Sequence, residues 1–171
     1  NALTPELAKR LGLKELQKVS AVGVGSKPVE AYVGKIDLLE VGAAGSVGES
    51  VVVIPLPKEL NCDGLVGYGF LSHFVTTIDY DRQTIRFDRP EEYRPDTEAQ
   101  VLPIRFKSGI PEVESSVEGV SGWLSLDTGA NGNLSIFGPF ADQNKLREKF
   151  PKRVLTVTGA GVGGAAMGEV V

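Results

Sequence analysis

The 171-residue chain holds one cysteine, one histidine, one methionine and one tryptophan. With Cys62 alone no disulfide can close within the chain, and a thiolate zinc site has too few ligands. Cys62 is expected to be a small buried apolar residue beside Asp63-Gly64. Any Ser-His-Asp triad would have to use His73. That residue sits in Phe70-Leu71-Ser72-His73-Phe74, whose spacing predicts a half-exposed side chain on a short helix. Positive charge is also in short supply: 18 Lys and Arg face 22 Asp and Glu, for a net charge of -4. Without a basic stripe there is no electrostatic case for a nucleic-acid partner. No apolar run is long enough for a membrane span. Asn1 is neither an initiator Met nor the start of a signal-peptide pattern, so a processed form or a fragment is expected.

Glycine and proline, by contrast, are plentiful, at 21 and 10 residues. Scattered between short β-branched runs, they predict a strand-rich chain with many turns. Hydrophobic content of 42% can fill one medium domain or two small lobes. Thr4-Pro5-Glu6 opens a helix, with Thr4 as N-cap and Pro5 at the first helical position. Leu7, Ala8 and Leu11 continue it, and Gly12 stops it. Strands are predicted over 17–24, 28–40 and 50–54, the first two forming a hairpin, with 41–49 a flexible connection. A second hairpin is predicted from Val75–Tyr80 and Gln83–Phe87 around Asp81-Arg82. From Asp88 to Gln100 the chain is polar, with Pro90 and Pro95, and reads as a linker. Three short strands come next, over Val101–Phe106, Val113–Glu118 and Trp123–Leu126. A helix over Phe140–Phe150, ended by Pro151, precedes a strand at Val154–Thr158 and a glycine-rich turn at Gly159–Gly164.

A loose internal repeat is visible. Asn1-Ala2-Leu3-Thr4 resembles Asn133-Leu134-Ser135. Each leads into a helix, a β-branched run and glycine pairs, at Val22-Gly23-Val24-Gly25 and at Gly159-Ala160-Gly161-Val162-Gly163. Two such units suggest a pseudo-symmetric, two-lobed protein.

Leu124-Ser125-Leu126-Asp127-Thr128-Gly129-Ala130 is the segment best suited to chemistry. An apolar strand delivers a carboxylate to a sharp turn that glycine permits. A carboxylate at a strand end can meet a second one in a low-dielectric interface. Two close carboxylates share a proton, so that one activates water and the other hydrogen-bonds a carbonyl.

Asp63-Gly64-Leu65-Val66-Gly67-Tyr68-Gly69-Phe70-Leu71-Ser72-His73-Phe74, with the hairpin that runs on through Phe87, resembles the closing half of a lobe in bacterial retropepsin-like aspartic proteases. Leu65-Val66-Gly67 is similar to the apolar pair and glycine that pack under the catalytic loop in that family. Asn1 to Leu13 resembles the family's segment just after the Asp-Thr-Gly loop, and Val22-Gly23-Val24-Gly25 resembles the flap. The resemblance implies a mainly β chain of acid protease-like, closed β lobes with a few short helices. It implies a first lobe over residues 1–90 without its own Asp-Thr-Gly, a linker over 91–98, and the opening part of a second lobe over 99–171. The implied activity is peptide-bond hydrolysis by an aspartate-activated water, with no metal or organic cofactor and an extended polypeptide as substrate. Asp127 would be a catalytic carboxylate, Thr128 the neighbour locking its loop, and Gly129 the turn. Gly23, Gly25, Gly159 and Gly161 would line flap tips over the substrate. Similar bacterial proteins are often exported.

A dyad needs two carboxylates, and the chain has one Asp-Thr-Gly. The second could come from an upstream segment or from another copy of the chain in a homodimer, or strands over 101–126 could complete the first lobe in permuted order. Two other functions compete with the protease. One is a non-catalytic peptide-binding or structural module of the same fold. The other is a truncated nucleotide-binding domain, because Gly159-Ala160-Gly161-Val162-Gly163-Gly164 fits a G-x-G-x-x-G pattern after a strand. A dinucleotide site would further need a helix, a second parallel strand and an acidic residue downstream.

Overall fold

In the computed structural model, which describes residues 1–14, 16–21, 23, 28–130 and 134–171, Thr4 caps the first helix as its sequence predicts. Its Oγ1 accepts a hydrogen bond from Leu7 N–H at 3.2 Å, and Pro5 fills the first turn of α1 (Pro5–Arg10). Glu6 lies in the first turn and Lys9 and Arg10 in the last, matching the helix dipole. Gly12 takes a φ of 65°, while Gly12 N–H and Leu13 N–H donate to Lys9 O and Ala8 O. That pair of bonds is a Schellman ending.

The described residues divide into two compact units, Asn1–Asp96 with Gly159–Ala166, and Thr97–Thr158 with Met167–Val171. The first unit holds a five-stranded sheet ordered β2-β3-β4-β1-β5, from Gln17–Ala21, Val29–Val41, Ala44–Val53, Ala2–Leu3 and Gly64–Leu65. β2 and β3 are antiparallel from Gln17↔Val33 to Ala21↔Val29, as the predicted hairpin requires. β1 runs parallel to β4 and antiparallel to β5.

Residues 41–49 are not a flexible connection. β3 and β4 stay in register from Tyr32↔Val53 to Val41↔Ala44, and only Gly42 and Ala43 make the turn. Gly42, at a φ of 62°, occupies the first central position, where a two-residue type II′ turn needs glycine. Further along β4 the inward face changes phase. Ser46, Glu49, Val51 and Val53 are buried, while Val47 and Gly48 are both exposed. Gly48 has a φ of 69°, and this local distortion turns Ser46 and Glu49, three residues apart, to the same buried side.

Beyond β5 lies α2 (Tyr68–Leu71), then the hairpin β6 (Val75–Asp79) and β7 (Thr84–Asp88). Phe70 is wholly buried, and its ring stands 5.2 Å from Phe74 and 5.6 Å from Phe87. This aromatic triangle ties α2 to the hairpin.

The second unit is built around a meander of β8 (Ile104–Lys107), β9 (Ile110–Val117) and β10 (Val120–Ser125). Ser108 and Gly109 make the first turn with φ of 52° and 78°, and Glu118 and Gly119 the second with 53° and 79°. Positive φ at both central residues marks type I′, whose twist suits a hairpin.

The helix predicted over Phe140–Phe150 is instead two pieces, α3 (Gly138–Gln143) and α4 (Leu146–Lys149). Asn144 Nδ2 donates to Phe140 O, and Lys145 takes a φ of 52°, so the ladder is interrupted between them.

β11 (Val154–Gly161) and β12 (Gly164–Val170) pair as a two-stranded sheet. Gly159 and Gly161 therefore belong to a strand, and the turn is confined to Val162 and Gly163. Among the described residues none of the four sheets closes on itself. The expected closed lobes are thus corrected to open sheets. β1 and β5 contribute two residues each, too few to carry a ladder around to β2.

Candidate functional site

β10 delivers the Asp-Thr-Gly segment to its end. Leu126 N–H still donates to Pro111 O, extending the sheet by one residue, and Asp127 comes next at the start of a turn. Asp127 Oδ1 accepts a hydrogen bond from Gly129 N–H at 2.9 Å, and Ala130 N–H reaches Asp127 O at 3.3 Å. The side chain thus mimics a backbone turn and is itself oriented by it. A Cβ at position 129 would sit 3.3 Å from Asp127 Oδ1, so glycine gives the carboxylate its room.

Asp127, Thr128 and Gly129 are all exposed. Among the described residues, no carboxylate is hydrogen-bonded to Asp127, and the Thr128 hydroxyl makes no hydrogen bond. The low-dielectric pairing expected of Asp127 is therefore not built by the residues around it. Asn131, Gly132 and Asn133 lie outside the described residues.

Of the glycines expected to line flaps, Gly25 lies outside the described residues and Gly23 comes shortly after β2. A Cβ on Gly23 would come 3.6 Å from Val162 Cβ, within the first unit. Nothing comes within 4 Å of a Cβ placed on Gly159. The glycine-rich run leads into β12 rather than into a helix, so no helix N-terminus is offered to a pyrophosphate there.

A second constellation went unread in the sequence. Glu49 is 6% exposed, and both of its oxygens are engaged. Oε1 lies 2.8 Å from His73 Nε2, and Oε2 accepts from Asn1 Nδ2 at 2.9 Å. Asn1 Oδ1 accepts in turn from Gly67 N–H at 3.0 Å. Burial pushes the Glu49 carboxyl upward, but hydrogen bonds and the charge of His73 outweigh it, so its pKa is lowered. Ser46 contributes to that pull, yet its buried Oγ has no hydrogen bond of acceptable geometry, so Asn1 and His73 are the partners that hold the charge. The available signal was a Glu directly after glycine at the start of a β-branched run, which the strand predicted from residue 50 left outside.

One other expectation is revised: Cys62 is exposed rather than buried, in the loop before β5. Trp123 is 41% exposed, and the Arg105 guanidinium lies 3.9 Å over its ring, held by Glu112 at 2.7 Å. Among the described residues there is no cluster of metal-ligating side chains, and no helix is long and apolar enough to cross a membrane. No family model, curated protein or solved structure matches the chain.

Proposed function

We propose that the chain is an aspartic endopeptidase of the retropepsin-like type, with Asp127 as one member of its carboxylate dyad. The observation that carries this reading is the turn at the end of β10, where Gly129 N–H holds Asp127 Oδ1 at 2.9 Å. A carboxylate oriented by a backbone N–H is positioned to act as base toward a water. Thr128 and Gly129 complete the turn. The Leu124-Ser125-Leu126 leader and the similarity of residues 63–87 to the closing half of a protease lobe support the same reading.

The reaction would add water to a peptide carbonyl without a covalent enzyme intermediate. The partner carboxylate would come from an upstream segment or from a second copy of the chain, with its Asp127 near a two-fold axis. Substrate would bind as an added strand, with backbone hydrogen bonds for affinity. Gly23, Gly25, Gly159 and Gly161 would lie in the segments that cover it. The exposure of Asp127 favours one competing function, a peptide-binding module of the same fold that lacks a working dyad.

Cleavage of an unfolded protein substrate between acidic and neutral pH tests the proposal, comparing the chain with Asp127→Asn over a range of protein concentrations. Activity that disappears in the variant supports it, and a steeper-than-linear concentration dependence assigns the second carboxylate to another copy. Activity that survives in Asp127→Asn removes that residue from catalysis. Inactivity of both forms, with retained binding of extended peptides, favours the module.

A further inference from the structure

α2 is only four residues long, and no side chain caps its N-terminus at Gly67. A helix of that length does not persist by itself. Phe70 anchors its middle. Its two ends are held from a single point on β4. Gly67, the N-cap, donates to Asn1 Oδ1, and Asn1 Nδ2 donates to Glu49 Oε2. His73, one residue past the C-cap Ser72, meets Glu49 Oε1 directly. Gly69 sits inside this ring, where a Cβ would come 3.1 Å from Asn1 Nδ2 and 3.3 Å from Glu49 Oε2.

We propose that Glu49 is an acid-sensitive latch on α2: ionised, it holds Gly67 and His73 against β4, and protonated, it loosens its hold on the helix.

The chemistry of the ring makes the two states differ. An ionised carboxylate only accepts, and Asn1 Nδ2 offers it an N–H, as His73 Nε2 can in either the cation or the Nε2–H tautomer. A protonated carboxyl keeps one accepting oxygen, but its other oxygen carries a hydrogen that would face one of those donors. The acceptor on its own strand is Ser46 Oγ, buried and without a hydrogen bond. Protonation therefore weakens the two grips on α2, breaking the one at the oxygen that takes the proton, and offers one bond within β4 instead. The groups that hold the charge are His73 after α2 and Asn1 before β1, with Ser46 beside it on β4. From β3 the cross-strand neighbour is the apolar Ile36, flanked by the exposed Lys35 and Asp37. α2 itself presents the exposed Tyr68, and β1 brings Ala2 and Leu3.

Amide hydrogen exchange reads the latch, with β3–β4 amides such as Val51 and Val53 as the internal control. Between about pH 6.5 and about pH 3.5, after correction for intrinsic rates, Gly67, Leu71, Ser72 and His73 should lose protection by roughly 10- to 100-fold relative to the control. Glu49→Gln should exchange fast there at both pH values, and His73→Gln, which keeps a donor on the charge, should retain the pH dependence. A wild-type pattern flat across the range overturns the proposal, as does Glu49→Gln with the wild-type dependence. If Glu49→Gln does not fold, the Glu49 carboxyl signal in carbon NMR decides. A titration midpoint that coincides with loss of protection supports the latch, and a separate midpoint overturns it.

Discussion

Glu49 and His73 meet at 2.8 Å across 24 residues of chain, the carboxylate side chain 7% exposed and the imidazole 53%. The pairing sets a buried charge against a cation-capable partner that is in contact with water. Such a carboxylate remains ionised only while its hydrogen bonds are made.

Removing His73 should therefore destabilise the first unit. His73→Ala takes one of the partners from a buried charge, at a cost of about 1–3 kcal/mol near neutral pH. The pH dependence comes from the lowered Glu49 pKa. Over that range the folded state binds fewer protons than the unfolded one, so the contribution is complete above the ordinary Glu range and is lost as pH falls through the folded value. In the variant the lowering is smaller, so less stability should be lost on acidification and the loss should be complete at a higher pH. Urea unfolding tracked through the acid range checks this, and superimposable acid limbs for the two proteins would exclude a role for the pair.

Phe70→Ala should cost more. The side chain is wholly buried among Phe74 and Phe87, so its removal leaves a cavity as well as losing the transfer term. About 3–5 kcal/mol is expected, measured as a lower urea midpoint. A loss below about 1 kcal/mol would mean that the aromatic triangle collapses freely and is not the anchor of α2.

The parts of this fold legible in the sequence are those set by near neighbours. Thr4, Pro5 and Gly12 mark α1 at both ends because caps act over three or four residues. The β2–β3 and β6–β7 hairpins arise from alternating β-branched runs around turn residues. The features that escaped were set by backbone exceptions. Gly42 stands in a glycine-rich stretch whose composition hides the two-residue turn it carries in the β3–β4 hairpin. Gly48 shifts the burial phase of β4, so a period-two reading cannot place Glu49 inside. Lys145 divides a helix that its apolar pattern alone would continue. At the candidate site the Asp-Thr-Gly turn was legible as a turn. The Glu49 ring was not, because it joins residues from four separate stretches.

Gly119 offers a test of backbone strain free of packing. Its φ is 79°, and a Cβ there would meet nothing within 4 Å. Gly119→Ala should cost about 1–2 kcal/mol from the left-handed backbone alone, and Gly119→Asn clearly less. Gly122→Ala differs in kind. Its Cβ would stand 2.8 Å from Phe140 Cε2, so the penalty depends on whether that ring can move. If Asn and Ala at position 119 prove equally destabilising, strain is not the cause. Thermal unfolding of the three variants makes the comparison.

Asp127 separates structure from chemistry. Asn at this position keeps an Oδ1 that accepts from Gly129 N–H, so Asp127→Asn should preserve the turn and shift stability by no more than about 0.5 kcal/mol. It removes the negative charge, and with it the base that would activate water. Asp127→Ala loses both, leaving Gly129 N–H to solvent, at a cost of roughly 0.5–1.5 kcal/mol. Gly129→Ala keeps the carboxylate but crowds it, with the new methyl 3.3 Å from Oδ1. In the proposed protease, Asp127→Asn is inactive at wild-type stability, while Gly129→Ala loses activity in proportion to how far the carboxylate is turned. A binding module shows the opposite order: peptide affinity is insensitive to Asp127→Asn. Measuring unfolding, peptide binding and cleavage on the same three variants distinguishes a catalytic carboxylate from one that only closes a turn.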